Sequence, residues 1–400
     1  MAKDEHKNEG TLSRRAFTFG LLPAVAVAGV SAEWAEAAPT ASTTPHQGGT
    51  FPGMITRQRE PINLEFPFPT LDSVLTPNNR FYVRNHFPVP HLDPASWRLE
   101  VGGAVRQSLT LSYDQLRRMP SKTFTATLEC AGNSRVLLVP TAKGAQWEQG
   151  GVSNAQWTGV PLSALLERAG ISPNAVEVIL EGADKGELKE EPKSPGVIHF
   201  ARSLPLAKAL GDVLVAYKMN GKDLAPEHGF PVRAIVPGWY GMASVKWLTH
   251  ITLTATPFDG YWQTLEYAYF RRNHGMSDLV PITEMQIKAQ IARPMLHEVV
   301  AAGTTYRVFG ATWTGESDVA RVEVSSDGGK TWHDAKLLGH ATPFAWRLWE
   351  YPWKVPDQRG RSVIMARATD KRGRTQPQHH DPDRRNYMIN FIQPIEVEVQ

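Results

Sequence analysis

Thirty prolines and 32 glycines are spread along this 400-residue chain, and they exclude long helices over most of its length. Proline removes a backbone donor and glycine weakens element interiors, so the chain must fold from short segments joined by many turns. With 42% apolar residues and a length that suggests two domains, two ordinary cores are within reach. Lys and Arg number 43 against 40 Asp and Glu, a net charge of +3, and the basic residues are scattered. Such a balance indicates neither nucleic-acid binding nor attraction to an anionic membrane.

Residues 1–38 read as a targeting segment. Ser13-Arg14-Arg15-Ala16-Phe17-Thr18-Phe19 carries the paired arginines of a twin-arginine signal. An apolar stretch from Phe19 to Val30 follows, and Ala35-Glu36-Ala37 offers small residues for cleavage. The stretch is short for a membrane span; the alternative is an uncleaved anchor. The expectation is therefore a periplasmic protein with no membrane attachment after cleavage. Residues 39–80 follow as a tether and a proline-rich arm, irregular enough to wrap over a domain surface.

Cys130 is the single cysteine of the chain. In an oxidising compartment it has no intramolecular partner, and an exposed thiol there invites oxidation. A soft metal held by this one thiolate, with other ligands brought by a cofactor, would shield it. The alternative is a buried, inert core cysteine.

From Trp97 onward, strand-like segments alternate with brief helices. Trp97 to Val101 alternates in the strand manner, and Ser112 is placed to cap a helix start. Phe124 to Leu128 reads as a strand delivering Cys130 at its end. Pro161 to Ala169 reads as a helix closed by Gly170, and Val176 to Leu180 as a buried strand. Val213 to Met219 reads as another buried strand, ahead of an Asn220-Gly221 turn. After about residue 280 the character changes. Thr304–Trp313, Val319–Ser325, Ala345–Trp349 and Val363–Ala368 read as strands, separated by turns such as Ser326-Asp327-Gly328-Gly329. Short strands at this spacing predict an immunoglobulin-like β-sandwich over 281–400. Trp332, Trp346, Trp349 and Trp353 give it an aromatic load that suits an interface core, or else simply fills the sandwich.

Four segments hold polar groups that packing alone would not require. Arg84-Asn85-His86 precedes Phe87-Pro88-Val89-Pro90. Leu128-Glu129-Cys130-Ala131-Gly132-Asn133-Ser134-Arg135 surrounds the thiol. His228-Gly229-Phe230-Pro231-Val232-Arg233 leads to Ser244-Val245-Lys246-Trp247, and Trp262-Gln263 precedes Glu266-Tyr267. In this order and at comparable spacing, these motifs resemble the sulfite oxidase family of molybdenum enzymes across essentially the whole mature chain. The end domain resembles that family's dimerisation domain through VEVSSDGGKTW and AWRLW. The resemblance implies an α+β architecture: a mixed α/β molybdopterin-binding domain over 81–280, then the sandwich as a homodimerisation domain.

It also implies roles. Cys130 would be the thiolate ligand of molybdenum, which a single pyranopterin (molybdopterin) chelates further. Arg84 and Arg135 would flank the oxygens of a tetrahedral oxyanion, a task suited to the planar guanidinium fork. Tyr267 would be the active-site tyrosine; an amphipathic core tyrosine is the alternative reading. Asn85, His86, Asp184, His228, Arg233, Ser244, Val245 and Lys246 match the cofactor contacts, Arg233, Lys246 and Ser244 suiting its phosphate. Asp184 reads equally as a polar strand end, and neither His86 nor His228 lies in zinc-ligand spacing. Ser134 stands where vertebrate members carry a basic residue, which would lower the local charge.

Animal members carry a b-type haem domain ahead of this region. Here the residues before 51 read as signal and tether, and no Cys-x-x-Cys-His motif exists for covalent haem. The expectation is no haem, with electrons leaving to a periplasmic c-type cytochrome. The leading function is oxidation of sulfite to sulfate. Alternatives are reduction of nitrate or sulfoxides, oxidation of sulfane sulfur, and a secreted two-domain binding protein, since sandwiches host many functions.

Overall fold

The computed structural model describes residues 50–400; the targeting segment and the start of the tether lie outside the described residues. Strands dominate. The α-helices among the described residues are short: Tyr113–Arg117, Leu162–Ala169 and Leu206–Ala209.

Local chemistry explains where these elements begin and end. Ser112 accepts a hydrogen bond from the amide of Gln115, whose side chain returns to the Ser112 amide, a capping box for Tyr113–Arg117. Gly170, at φ +73°, ends Leu162–Ala169 in a conformation that a β-carbon would disfavour. Asn220 and Gly221 both take positive φ and turn Leu214–Met219 back onto Lys222–Asp223, the hairpin such a pair favours.

Two five-stranded sheets build the first domain. One runs Lys222–Asp223, Leu214–Met219, Val152–Pro161, Lys122–Glu129, with Arg233–Ile235 also paired to Leu214–Met219. The other runs Leu109–Ser112, Arg98–Gly103, Leu248–Thr254, Glu177–Glu187, Val197–Pro205. Lys122–Glu129 pairs antiparallel with Val152–Pro161 from Lys122↔Gly159 to Glu129↔Val152. Its last four residues are all buried, so the strand drives inward and ends at Cys130. An exposed hairpin, Ala268–Asn273 with Met276–Pro281, precedes the second domain.

From Lys288–Arg293 onward the chain forms the sandwich. A four-stranded sheet (Lys288–Arg293, Thr305–Trp313, Arg347–Lys354, Lys336–Leu337) faces a five-stranded one containing Val319–Ser325, Gly360–Asp370 and Ile395–Val399. Val308, Val322, Trp349, Ile364 and Val397 fill the space between them.

Two expectations need correction. The arm is not wrapped over a surface. It forms the strand pair Ile55–Gln58 and Asn63–Glu65, and Phe66 and Phe68 are buried in the main core. Phe68 packs edge-on against Trp313 and Trp346 of the sandwich, 6.5 and 6.4 Å between ring centres. The arm is thus a wedge between domains, because its phenylalanines bury more apolar area there than any surface course would. The sandwich tryptophans, in turn, do not form an exposed interface core. Trp346, Trp349 and Trp353 are at most 2% exposed within one chain; Trp332 is partly buried under the Arg367 guanidinium.

The domains are joined by more than packing. The Trp346 amide donates to Thr127 Oγ1 at 2.7 Å, and the Thr127 amide to the Phe344 carbonyl at 2.9 Å. Among the described residues no helix is long and apolar enough to cross a membrane.

Candidate active site

A cleft opens where the cysteine strand, the Arg84–His86 segment and the 226–247 segment converge. Ten of the twelve residues singled out in the sequence line it: Arg84, Asn85, His86, Cys130, Asp184, His228, Arg233, Ser244, Lys246 and Tyr267.

Cys130 sits at the end of Lys122–Glu129, 6% exposed. Its amide donates to the Gly151 carbonyl, and its carbonyl accepts from the Asn133 amide, both at 2.8 Å. Burial pushes the thiol pKa up; the positive charges of Arg84 and Arg135 and a backbone hydrogen bond from Gly132 pull the other way. A bound metal would take this sulfur as thiolate, releasing its proton.

Arg84 spends Nη1 on the Asn85 carbonyl and, at 3.4 Å, on Asn63 Oδ1. Both protein bonds use one nitrogen, so the opposite edge of the fork is available to an oxyanion. Asn63 also accepts from the Asn85 amide at 2.7 Å, so the arm fixes the course of this segment.

His86 and Tyr267 share a 2.6 Å hydrogen bond between Nε2 and the phenol oxygen. His86 also stacks on Phe200. Burial and the nearby Arg84 and Lys246 hold the imidazole pKa well below its usual range, so it is neutral. Burial raises the Tyr267 phenol, more than Arg84 lowers it, so it keeps its proton.

The 226–247 segment forms the other wall. His228 hydrogen-bonds through Nε2 to the Asn78 carbonyl at 2.9 Å, and burial pushes its pKa down to about 3. Arg233 donates to the His228 carbonyl at 3.0 Å and the Ser244 carbonyl at 2.9 Å, with its guanidinium 5.1 Å from the Trp157 ring centre. Ser244 Oγ accepts from the Val236 amide, which leaves its proton free to donate. Lys246 reaches the Glu227 carbonyl at 2.8 Å and the side-chain oxygen of Asn85. Burial holds its pKa well below normal, with Arg233 adding to the effect. Burial raises Asp184 to about 7, against the pull of Lys246.

Two predicted residues lie outside the cleft wall. Val245 is 1% exposed and packs in the core; it contributes through its backbone, accepting from the Ala234 amide at 2.8 Å. The Arg135 guanidinium folds back behind the thiol loop. It donates to the carbonyls of Ala145 (2.8 Å) and Asn386 (3.2 Å) and lies 5.3 Å from the Tyr387 ring centre. A β-carbon on Gly132 would stand 2.1 Å from Arg135 Nη2, so glycine there permits this course. Arg135 therefore acts on the cleft through its charge, not through contact. Ser134 likewise turns away from the cleft, fully buried against Lys288.

The sequence reading missed Tyr82, Phe200, Glu227 and Met242, which also line the cleft. Tyr82 and Glu227 are each within two residues of a motif that was recognised. Phe200 and Met242 carry no polar signal of their own.

The donor set fits a cofactor that brings its own metal ligands. Among the described residues no group of three or more His, Cys, Asp or Glu side chains could hold a metal ion. Buried Asn85 Nδ2 and Asp184 Oδ1 have no hydrogen-bond partner, although both residues line the cleft. Such atoms cost free energy unless a polar ligand meets them.

Residues 86–262 match the family model described as oxidoreductase molybdopterin binding domain, and residues 280–399 the Mo-co oxidoreductase dimerisation domain. The sulfite oxidase of Gallus gallus is 36% identical over 381 residues, covering 89% of this chain and 80% of that protein. The chain belongs to the sulfite oxidase family of molybdenum oxidoreductases. The mitochondrial sulfite oxidase of Mus musculus is 36% identical over 345 residues, and the chain spans 62% of that relative's length. A nitrate reductase [NADH] of Solanum lycopersicum is 33% identical, matched over 38% of its length. Among solved structures, the sulfane dehydrogenase SoxCD of Paracoccus pantotrophus aligns at a TM-score of 0.73 and 28% identity, covering 85% of each chain. Membership in this family supports the α+β reading with its molybdopterin-binding and sandwich domains.

Proposed function

We propose that the protein is a sulfite dehydrogenase: sulfite and water yield sulfate, two protons and two electrons. The observation that carries this is one cleft holding a buried thiol, an arginine with an open edge and a protonated phenol. Cys130 would hold the molybdenum, while Asn85, Asp184, Arg233, Ser244 and Lys246 would hold the pterin and its phosphate. Once bound, that group supplies oxygen-atom transfer and two-electron storage.

The chain's own residues do the rest. Arg84 draws the oxyanion in and offers paired donors to its oxygens, holding the anion in place while its sulfur is oxidised. Arg135 adds positive potential from behind the loop. Tyr267, kept protonated by burial and oriented by neutral His86, holds a proton at its phenol oxygen for the reacting oxygen or an incoming water. The buried walls keep these interactions strong by excluding bulk water.

The paired arginines of residues 13–19 support export by the twin-arginine route to the periplasm. The electrons released there need an acceptor, and a c-type cytochrome is the proposed one. The match to a dimerisation domain supports a homodimer. The SoxCD likeness favours sulfane sulfur as the second substrate reading.

Steady-state rates with sulfite, nitrate, a sulfoxide and a sulfane-sulfur donor, measured on one molybdenum-loaded preparation, test the assignment. Sulfite should be turned over fastest. Arg84→Gln should raise KM for sulfite about 10- to 100-fold, the loss of a charged hydrogen-bonding group. A preference for any other compound, or an unchanged KM, contradicts the proposal.

A further inference from the structure

Lys288 is the first residue of the sandwich strand Lys288–Arg293, yet its ammonium group ends beside the cysteine loop of the other domain. It is 2% exposed, as is its partner Glu129. Nζ donates to Glu129 Oε1 at 3.1 Å, Ser134 Oγ at 2.9 Å and the Ile389 carbonyl at 3.0 Å. Those three bonds use all three ammonium protons.

Glu129 is equally committed. Oε1 also accepts from Asn133 Nδ2 at 3.0 Å, and Oε2 accepts from the Trp313 indole at 2.9 Å. The pair thus grips the loop on both sides of Cys130: at residue 129 before it, and at residues 133 and 134 after it. Ser134 shows why a grip is needed. It adopts φ +70° without being glycine, a left-handed conformation that persists only where surroundings enforce it. Lys288 is bonded to its hydroxyl.

A buried ion pair is a weak device for stability alone, since desolvation consumes most of the attraction. One with every donor and acceptor satisfied, spanning two domains and closing on the residues around a metal-binding sulfur, is better suited to fixing geometry. We propose that Lys288 and Glu129 are positioning residues for Cys130, through which the sandwich domain sets the orientation of the thiolate toward molybdenum. The sandwich is in that case part of the catalytic apparatus as well as a dimerisation module. This inference rests on the assignment of Cys130 as the molybdenum ligand.

The test uses the full-length chain with the double substitution Lys288→Met and Glu129→Gln, which removes both buried charges together and leaves none unpaired. Because Cys130 is the single cysteine, an aromatic disulfide reagent reports on one position. In cofactor-free protein, the thiol of the double variant should react at least tenfold faster than the parent's, with thermal midpoints within a few degrees. In loaded protein, the Mo(V) resonance should shift in g values, and kcat should fall with KM for sulfite nearly unchanged. Parental labelling rate and parental Mo(V) spectrum in a stable double variant overturn the proposal. So does faster labelling that is matched by Ser112→Ala, which removes a helix cap outside the cysteine loop and serves as the control for lowered overall stability. A parent that takes up no molybdenum refutes the ligand assignment instead, while the labelling comparison still decides whether the pair holds the loop.

Discussion

Asp184 and His228 face the same cleft with opposite responses to acid. The carboxyl is raised by burial to about 7 from 3.8, and the imidazole is lowered by burial to about 3 from 6.5. For Asp184, the folded state binds the extra proton between those values. Its contribution to stability is complete below pH 4 and is lost as pH rises through 7. For His228 the unfolded state binds the extra proton, so its contribution is present above pH 6.5 and fades toward pH 3. Asp184→Asn should therefore raise the thermal midpoint of cofactor-free protein relative to the parent at pH 8, and much less at pH 5. Equal changes at both pH values would show that Asp184 is already ionised in the folded chain. Filling the cleft should flatten this dependence, because a ligand that meets Asp184 Oδ1 removes the reason for its high pKa.

Among the elements, the sandwich strands decide a question that composition left open. Trp349 is fully buried in the sandwich core, and its indole nitrogen has no partner. It contributes packing, so Trp349→Phe should cost at most about 3 kcal/mol of chain stability. It should leave the dissociation constant of the proposed homodimer, measured by sedimentation, within about twofold. A tenfold weaker dimer would place the tryptophan at the interface after all. Elements whose limits depend on local chemistry were legible in the sequence. Ser112 with Gln115, Gly170, and Asn220-Gly221 each carry their instruction within four residues. The course of the arm was not legible, because what buries Phe68 is Trp313 and Trp346, more than 240 residues further on.

In the molecule as a whole, the site was read from four motifs, and the fold brings ten of twelve chosen residues to one cleft. That convergence has a physical basis: arginine, histidine and lysine are poor core formers, so their pattern in proline-rich turns shows through. The exceptions are instructive. Arg135 and Ser134 sit in the recognised motif yet turn toward the domain seam, and only the fold shows what awaits them there. Lys288 looks like an ordinary surface charge in a strand-rich chain, and its partner Glu129 in the cysteine motif lies 159 residues away. Their pairing depends on how the sandwich docks, which no short-range pattern encodes. Family membership adds the cofactor, and the cleft's orphaned polar atoms give it a place to bind.

Electron paramagnetic resonance of the molybdenum-loaded protein, recorded after sulfite and a limiting one-electron acceptor such as ferricyanide are added, tests most directly whether Cys130 presents a reactive molybdenum to this anion. The parent, reduced by two electrons and reoxidised by one, should develop a Mo(V) signal, and Cys130→Ser should fold yet give none at any sulfite concentration. A loaded parent that stays silent with sulfite, or a serine variant with the parental signal, would contradict the account.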